Sequence, residues 1–450
     1  MTICSRSASA IWGLLAYGLC LLSLSLPGPA FSQVVLSDER FIHYTIKPGD
    51  TLSALVAQFI NGNDGLSLVS KLNQLGNPNK VQVGKVIKLP RDRIKFRPSN
   101  ATVSRLNCSG VTLLGGSEPV TVRAGMSLSE GAVLKVPPSC QFAITLEDAS
   151  TVNLLSGAVI QLKTLRVNVL ESSPEIQIEL LEGRISVDVP RKRLDGDAPF
   201  RVKTPTSVAG VRGTQFRVGF DAVDRQSQVE VATGEVGAKG HEELGEKRAS
   251  ANQGVPVLST GKSLPLENLP RAPAFKKTEL VPSALAVQDV LLEFDVDPKT
   301  HKLSLIKAQD AGFSLAQNEI KLLKPEVVVA DLGNKAVFYQ VAAISETGLY
   351  GSTADIAICR GYNRGKNWRC NVQFDLSGLG KPFLYLEHLD ADGGSKVLLN
   401  APIDVSVNDQ AVFRGVQPGV YKWRVEYVVT ESLNSKMSGQ FQLIALPGND

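Results

Sequence analysis

Near the N-terminus, the apolar and polar positions change from a strand pattern to a helix pattern within a few residues. The sequence HYTI at positions 43–46 alternates polar and apolar side chains, which indicates a short strand. In the KPGD that follows, Pro48 fixes one backbone angle and Gly49 allows a positive φ, so we expect a tight turn. Apolar residues then recur at helical spacing, at Leu52, Leu55, Val56 and Phe59. Either Asp50 or Thr51 can cap this helix, because each side chain carries an oxygen that accepts from a free first-turn amide.

A second helical segment and a closing strand complete this unit. Apolar spacing predicts a helix over residues 66–75, and VQVGKVIKLP at 81–90 predicts a strand. The strand, helix, helix, strand order of residues 41–92, with YTIKPGDTL and LNQLGNP, resembles the LysM module. The resemblance implies a βααβ fold that binds glycans containing N-acetylglucosamine, in bacteria usually peptidoglycan. It implies a shallow groove between two turns, formed by Gly49, Asp50, Thr51 and Leu52 on one side and by Leu75, Gly76, Asn77 and Pro78 on the other.

From residue 106 to residue 264, short alternating runs are separated by turns. Runs such as QFAITL, RISVDV and TQFRVGF predict an all-β domain with little helix. The motif TPTSVAGVRGTQF at 204–216 and its flanking strands resemble the FecR domain, which implies stacked short strands. Arg212 in this motif either pairs with an internal acid, such as Glu230 or Asp221, or meets a partner. FecR regulators carry a transmembrane helix before this domain, whereas this chain carries the LysM-like module there.

The C-terminal third is predicted to contain two further β domains. Repeated prolines in residues 265–283 indicate an extended linker. The sequences NKAVFYQVAAISETGLYGS and QPGVYKWRVEYVVTES both resemble the late strands of β-sandwiches. They predict a fibronectin type III-like domain at 284–358 and an Ig-like domain at 359–450. The expected fold is therefore mainly β and multidomain, with one small βααβ module.

The first residues have the features of an export signal. Arg6, an apolar stretch at 10–26 and the small residues that end at Ser32 predict a signal peptide over residues 1–32. An uncleaved membrane anchor is the alternative, although the apolar run is shorter than the roughly 20 residues that a span needs. No later stretch reaches that length, so the mature chain is not expected to span a membrane. We expect an exported protein of the periplasm or cell envelope, associated with peptidoglycan.

The cysteines indicate disulfide bonds rather than a metal site. Four cysteines remain after the signal peptide, and an even number in an exported chain suggests pairing. Proximity along the sequence favours Cys108 with Cys140 and Cys359 with Cys370. Four buried free thiols are the alternative. Because no C-x-x-C occurs and the four histidines are scattered, neither a metal nor another cofactor is predicted.

Charge narrows the class of partner. A net charge of +4 over 450 residues gives no argument for nucleic acid binding. Residues 80–105 carry eight lysines and arginines against one acid. We interpret this basic segment as a solvated linker, with attraction to an anionic cell wall as the alternative.

No set of reactive residues indicates an enzyme. SLIK at 304–307 lacks the companion motifs of a serine hydrolase, and DADGG at 390–394 lacks the glutamate of a calcium loop. The sequence therefore predicts a non-enzymatic peptidoglycan-binding protein in which the LysM-like module anchors a FecR-like β scaffold, with envelope proteins as further partners. A periplasmic sensory or signalling component acting through the FecR-like domain is the alternative. A wall-remodelling hydrolase is a third hypothesis.

Overall fold

A computed structural model gives the fold of most of the chain. It describes residues 40–446 except 107, 109, 115–118, 139, 141, 191–199, 212, 282–288, 314–318, 330–331, 365–366, 377–378, 391–393, 403–409 and 431–432. The predicted signal peptide and Arg212 lie outside the described residues. The described chain is mostly β-strand, with short α-helices only near its start, as the sequence predicted.

The N-terminal module has the predicted βααβ order. Its elements are β1 (Phe41–Thr45), α1 (Leu52–Phe59), α2 (Gly65–Leu72) and β2 (Val86–Pro90), and β1 pairs antiparallel with β2. Helix α2 ends before the predicted residue 75, because Gln74 takes a φ of 51°. The Asn73 side chain donates to the carbonyls of Val69 and Lys88, which ties the helix end to β2. The apolar faces of all four elements meet in one core.

The basic segment after this module is not a solvated linker. A short 3-10 helix (Arg91–Arg93) is followed by β3 (Phe96–Pro98) and β4 (Asn100–Leu106), and Ile94 is only 1% exposed. Arginines of the segment pair with acids of the next domain: Arg91 lies 3.5 Å from Glu171, and Arg97 pairs with Glu147. Leu170 of that domain packs against the module's core. The module is therefore joined directly to the β domain by side-chain contacts.

Residues 96–268 form a closed β-barrel around one apolar core. Its further strands are β5 (Thr112–Leu114), β6 (Val120–Thr121), β7 (Ser127–Ser129), β8 (Val133–Lys135), β9 (Phe142–Leu146), β10 (Thr151–Leu154), β11 (Val159–Asn168), β12 (Pro174–Asp188), β13 (Phe200–Lys203), β14 (Ser207–Val211), β15 (Gln215–Asp221), β16 (Gln226–Thr233), β17 (Glu235–Gly240), β18 (Lys247–Ser250), β19 (Gln253–Val257) and β20 (Glu267–Asn268). The first half of β12 pairs with β11 and β13, and its second half pairs with β10 and β15. This long strand therefore joins the two faces that enclose the core.

The inward positions of β12 change phase halfway along the strand. Leu180 is buried on the first face, and Ile185 and Val187 are buried on the second. Gly183 lies between them with a φ of 83°, and a Cβ there would come within 2.8 Å of the Ala158 backbone. Only glycine fits this bend, which accounts for the glycine at the start of GRISVDV.

The TPTS motif is held by buried hydroxyls. Thr204 and Thr206 lie 2.7 and 2.6 Å from the hydroxyl of Ser227, and Thr204 lies 2.9 Å from that of Ser207. These four side chains are all less than 5% exposed. Because buried hydroxyls need partners, they satisfy one another and tie β13, β14 and β16 together.

In the C-terminal region, residues 274–446, the strands that the structure describes form three sheets. Its strands are β21 (Ala274–Val281), β22 (Asp289–Asp295), β23 (Lys302–Ala308), β24 (Ile320–Leu322), β25 (Glu326–Val329), β26 (Val337–Ile344), β27 (Tyr350–Arg360), β28 (Tyr362–Arg364), β29 (Asn367–Asp375), β30 (Gly380–Leu389), β31 (Ser395–Pro402), β32 (Gln410–Val416), β33 (Gly419–Thr430) and β34 (Leu433–Leu446). The largest sheet has the order β24-β23-β26-β27-β34-β33-β30-β31, and the smaller ones are β21-β22-β25 and β28-β29-β32.

Two features of this region differ from the sequence-based division. Strand β21 lies within the expected linker at 265–283 and pairs with β22. Strand β27 runs across the expected boundary between residues 358 and 359, and its end pairs in parallel with β34. The segments assigned to two sandwiches therefore share one sheet, because the last strand of the chain returns beside β27.

Both predicted cysteine pairs are disulfide-bonded in the structure. Cys108 and Cys140 have Cα atoms 5.4 Å apart, and Cys359 and Cys370 have Cα atoms 6.0 Å apart. The first bond lies within the barrel, and the second joins β27 to β29.

Candidate functional site

The turn after β1 is held by its own side chains. The Asp50 carboxylate accepts hydrogen bonds from the Lys47 amide at 2.7 Å and from the Tyr44 hydroxyl at 2.9 Å. Burial, and next the hydrogen bond to Asp50, raise the pKa of Tyr44 above its usual value. Gly49 has a φ of 89°, as the turn prediction required. Asp50 therefore closes the turn and does not cap the helix.

Thr51 caps α1. Its hydroxyl accepts from the Ala54 amide at 3.2 Å, and its backbone is extended, as an N-cap requires. The sequence did not distinguish between Asp50 and Thr51 as the N-cap of α1. Thr51 takes this role because the Asp50 carboxylate is already hydrogen-bonded within the turn. Leu52, the first helical residue, is only 1% exposed and lies in the core.

The second turn lies between α2 and β2. The Asn77 side-chain oxygen accepts from the Asn79 amide at 2.9 Å, and its carbonyl accepts from the Lys80 amide at 3.1 Å. Gly76 and Asn77 are exposed, whereas Leu75 and Pro78 are half-buried. The turn therefore presents backbone groups and the Asn77 amide to solvent.

The antiparallel pairing of β1 and β2 places the turn after β1 beside the residues that directly precede β2. Thr45, the last residue of β1, is opposite Val86, the first residue of β2. The Ile46 amide donates to the Lys85 carbonyl at 2.9 Å, which extends the pairing into the turns. Leu52 and Leu75, one from each side, pack on the same core. Of the eight predicted residues, Gly49, Thr51, Gly76 and Asn77 are exposed, Asp50, Leu75 and Pro78 are half-buried, and Leu52 is buried.

Sequence reasoning missed three residues beside the turn after β1. The Tyr44 hydroxyl holds Asp50, and its place in the HYTI strand directly before the turn could have indicated a role beside the turn. Val83 and Val86 are 62% and 53% exposed. They add apolar surface beside the turn after β1; the outward phase of β2 could have signalled Val86, whereas Val83 lies before that strand.

A buried ion-pair cluster joins the barrel to the C-terminal region. Glu230 pairs with Arg184 at 2.6 Å and with Arg217 at 2.8 Å. Glu230 also accepts from the Tyr350 amide at 2.8 Å, and Arg217 donates to the carbonyls of Tyr350 and Gly351. The Arg184 guanidinium lies 3.8 Å from the centre of the Tyr350 ring. The hairpin between β26 and β27 is therefore held by its backbone on the barrel.

Two further findings concern the described residues. Within residues 40–446, apart from the gaps given above, no helix combines the length and apolarity needed to cross a membrane. The same part of the chain contains no group of three or more His, Cys, Asp and Glu side chains arranged to hold a metal ion.

The two sequence resemblances are matched by family models. Residues 44–90 match the LysM domain, and residues 132–237 match the FecR protein. The chain carries a LysM domain followed by a FecR region. A LysM domain suggests peptidoglycan binding, and a FecR region suggests a signalling role. Both families are non-catalytic binding or regulatory domains and are typical of exported cell-envelope proteins.

Solved structures give more distant similarities. A candidate anti-sigma factor from Parabacteroides distasonis is 28% identical, over 30% of this chain and 59% of that chain, with a TM-score of 0.25. A second structure described in the same way, from the same organism, is 27% identical with the same coverage and TM-score. The FN1–FN3 domains of chicken CNTN1 are 10% identical, over 68% of this chain and 98% of that chain, with a TM-score of 0.15. This chain thus spans 59% of the length of the two bacterial proteins.

Proposed function

We propose that this protein is an exported, non-enzymatic peptidoglycan-binding protein, in which the LysM domain holds the FecR barrel and the C-terminal region against the cell wall. The LysM match over residues 44–90 carries this proposal. The glycan would lie between the turn at 47–52 and the turn at 75–78. Exposed backbone groups and the Asn77 amide would contact its hydroxyl and N-acetyl groups, whereas Leu52, being buried, would act through its backbone.

The connection between the LysM domain and the barrel supports the anchoring role. The Lys95 amide donates to the Phe59 carbonyl of the LysM domain at 2.7 Å, and the Val169 amide of the barrel donates to the Lys95 carbonyl at 3.0 Å. Leu170 packs on the LysM core. A glycan strand bound by this domain would therefore hold the barrel in a defined orientation.

Co-sedimentation with purified peptidoglycan tests the anchoring role. Asn77→Arg introduces a long side chain in the second turn and is expected to reduce the bound fraction by at least tenfold. The control is Asn63→Arg, which makes the same change at an exposed position of the loop between α1 and α2. Equal sedimentation of both variants and the unmodified chain would contradict binding at the two turns. Far-UV circular dichroism of both variants checks that the fold is retained.

Full-length chains are preferable to truncation in this experiment. Removing the LysM domain would expose Leu170 and leave Glu171 without Arg91. If such a fragment failed to bind, the missing glycan site and damage to the barrel could not be told apart as the cause. Zymography on the same peptidoglycan separates binding from hydrolysis, because a cleared band would contradict the non-enzymatic role.

The FecR match over residues 132–237 favours a second candidate function, a periplasmic sensory or signalling component. In this role the barrel would contact an envelope receptor. Cross-linking in intact cells, followed by purification of the chain, is expected to recover that receptor if the role is correct. Recovery of wall fragments alone would favour the anchoring role and contradict the sensory one.

A further inference from the structure

A cavity of about 880 Å³ lies between the barrel and the C-terminal region. Strands β4, β9, β10 and β12 supply one wall, and Gly312 and Phe313 together with β26, β27, β33 and β34 supply the other. Its volume is near the upper end of the roughly 300–1,000 Å³ typical of pockets for small organic ligands, and domain interfaces are a common place for such pockets.

The barrel wall of the cavity carries polar side chains among its apolar ones, although another region covers it. Arg105 is opposite Ala143 on the neighbouring strand, Ala143 is opposite Asn153, and Asn153 is opposite Ser186. These residues form a row on the outer face of the sheet, and each lines the cavity. The side chains of Asn153 and Ser186 make no hydrogen bond to any residue that the structure describes, so both can bond to a ligand.

Arg105 is the cation of this wall. Its guanidinium donates to the Gly312 carbonyl at 3.2 Å, and its other N–H groups bond to none of the described residues. Burial lowers the pKa of Arg105, which the charge of the nearby Asp310 partly offsets. Asp310 is itself buried and accepts from the Gly312 amide at 2.9 Å. Because a guanidinium has five donors in a fixed fork, Arg105 is suited to bind a carboxylate with two parallel hydrogen bonds.

Asp355 is the anion of the opposite wall. One of its oxygens accepts from the Gln340 amide at 3.0 Å, and the other has no partner among the residues described. Burial raises the pKa of Asp355 to about 6, so a cationic group beside it would stabilise the ionised form. The other two carboxylates of the lining are exposed to solvent, where Asp188 accepts from Gln215 and Glu426 pairs with Arg424, whereas Asp355 is half-buried. Asp355 is therefore the carboxylate available to a ligand.

We propose that this cavity binds a short peptide with free termini, with the peptide carboxylate on Arg105 and its ammonium group on Asp355. A cation and an anion that form no ion pair with any described residue lie in the same cavity, and together they complement a zwitterion better than a ligand of a single charge. Phe313, Trp423 and Tyr427 supply apolar surface for side chains, and Asn153 and Ser186 supply partners for the peptide backbone. The volume exceeds what a single amino acid needs. This site is separate from the glycan site of the LysM domain.

Titration calorimetry of the full chain with free tripeptides Ala-X-Ala, where X is alanine, leucine, glutamate or lysine, tests this proposal. We expect at least one of the four to bind. Acetylating its N-terminus or amidating its C-terminus is expected to weaken binding by at least tenfold, because each change removes one charge. Absence of binding by all four, or equal binding by the capped and free forms, would overturn the proposal.

Variants of the two charged residues locate the site. Asp355→Asn preserves the shape and the acceptor for Gln340 and is expected to weaken binding at least tenfold. Arg105→Lys keeps the charge and removes the fork, with a smaller loss expected, and Arg105→Met removes both. Arg123→Gln, at an exposed position of the barrel, is the control. Unchanged binding by Asp355→Asn and Arg105→Lys would refute the assignment, whereas peptidoglycan binding should be the same in every variant.

Discussion

Replacing Glu230 with glutamine tests whether the buried ion-pair cluster holds the C-terminal region on the barrel. The glutamine has nearly the same shape, so the change removes a charge and little volume. Glu230 is fully buried, and the side chains of its partners Arg184 and Arg217 are 16% and 21% exposed. Attraction to Glu230 raises the pKa of Arg184 although burial alone would lower it. The variant removes the countercharge that both guanidinium groups share and leaves Arg184 only the charge of Glu319.

The expected loss of stability follows from this burial. Removing one partner of a buried ion pair costs roughly 3–5 kcal/mol, because an uncompensated charge remains. Since both arginines keep some contact with solvent, the lower end, about 3 kcal/mol, is expected here. A change of that size corresponds to roughly a hundredfold increase in the fraction of molecules in which the hairpin at 345–351 leaves the barrel.

Hydrogen exchange of peptides that cover this hairpin measures the effect. We expect roughly hundredfold faster exchange in Glu230→Gln, little changed by added salt, because buried pairs are weakly screened. The control is Glu235→Gln. Glu235 lies 3.7 Å from Arg248, whose side chain is 72% exposed, so this variant is expected to lose at most about 1 kcal/mol of stability. Exchange in Glu230→Gln within threefold of the unmodified chain would refute the reasoning.

Three further predictions concern single features of the fold. Thr51→Ala should lower the free energy of unfolding of the LysM domain by about 1 kcal/mol, while Thr51→Ser should not, because serine also caps α1. Replacing Cys108 and Cys140 by serine should lower the free energy of unfolding by about 3.7 kcal/mol, because the disulfide closes a loop with a sequence separation of 32. Urea unfolding of the variant and of the unmodified chain measures this difference. Asp355 has a pKa of about 6 in the folded state, above its ordinary 3.8, so the folded state binds its proton more tightly than the unfolded state. Stability should therefore fall as pH rises from about 4 to about 6, and Asp355→Asn should abolish this fall, on the order of 2–3 kcal/mol.

The sequence by itself determined the features that depend on neighbouring residues. The turn at Gly49, helix α1 and the short strands of the barrel follow from local backbone preferences and from the period of the apolar positions. The two disulfides join cysteines that are near in sequence, so proximity was a sufficient guide. The motif TPTSVAGVRGTQF identified the FecR region without any knowledge of its contacts.

Only the tertiary structure decided the features that join distant parts of the chain. Thr51 caps α1 because Tyr44 and Lys47 already engage Asp50, which depends on how the turn closes. The basic segment is ordered because Glu147 and Glu171 of the barrel lie beside it. Strand β27 crosses an expected domain boundary because its partner β34 comes from the far end of the chain. Arg105 and Asp355 line one cavity although 250 positions separate them, since strand register and packing between sheets leave no periodic signal in the sequence.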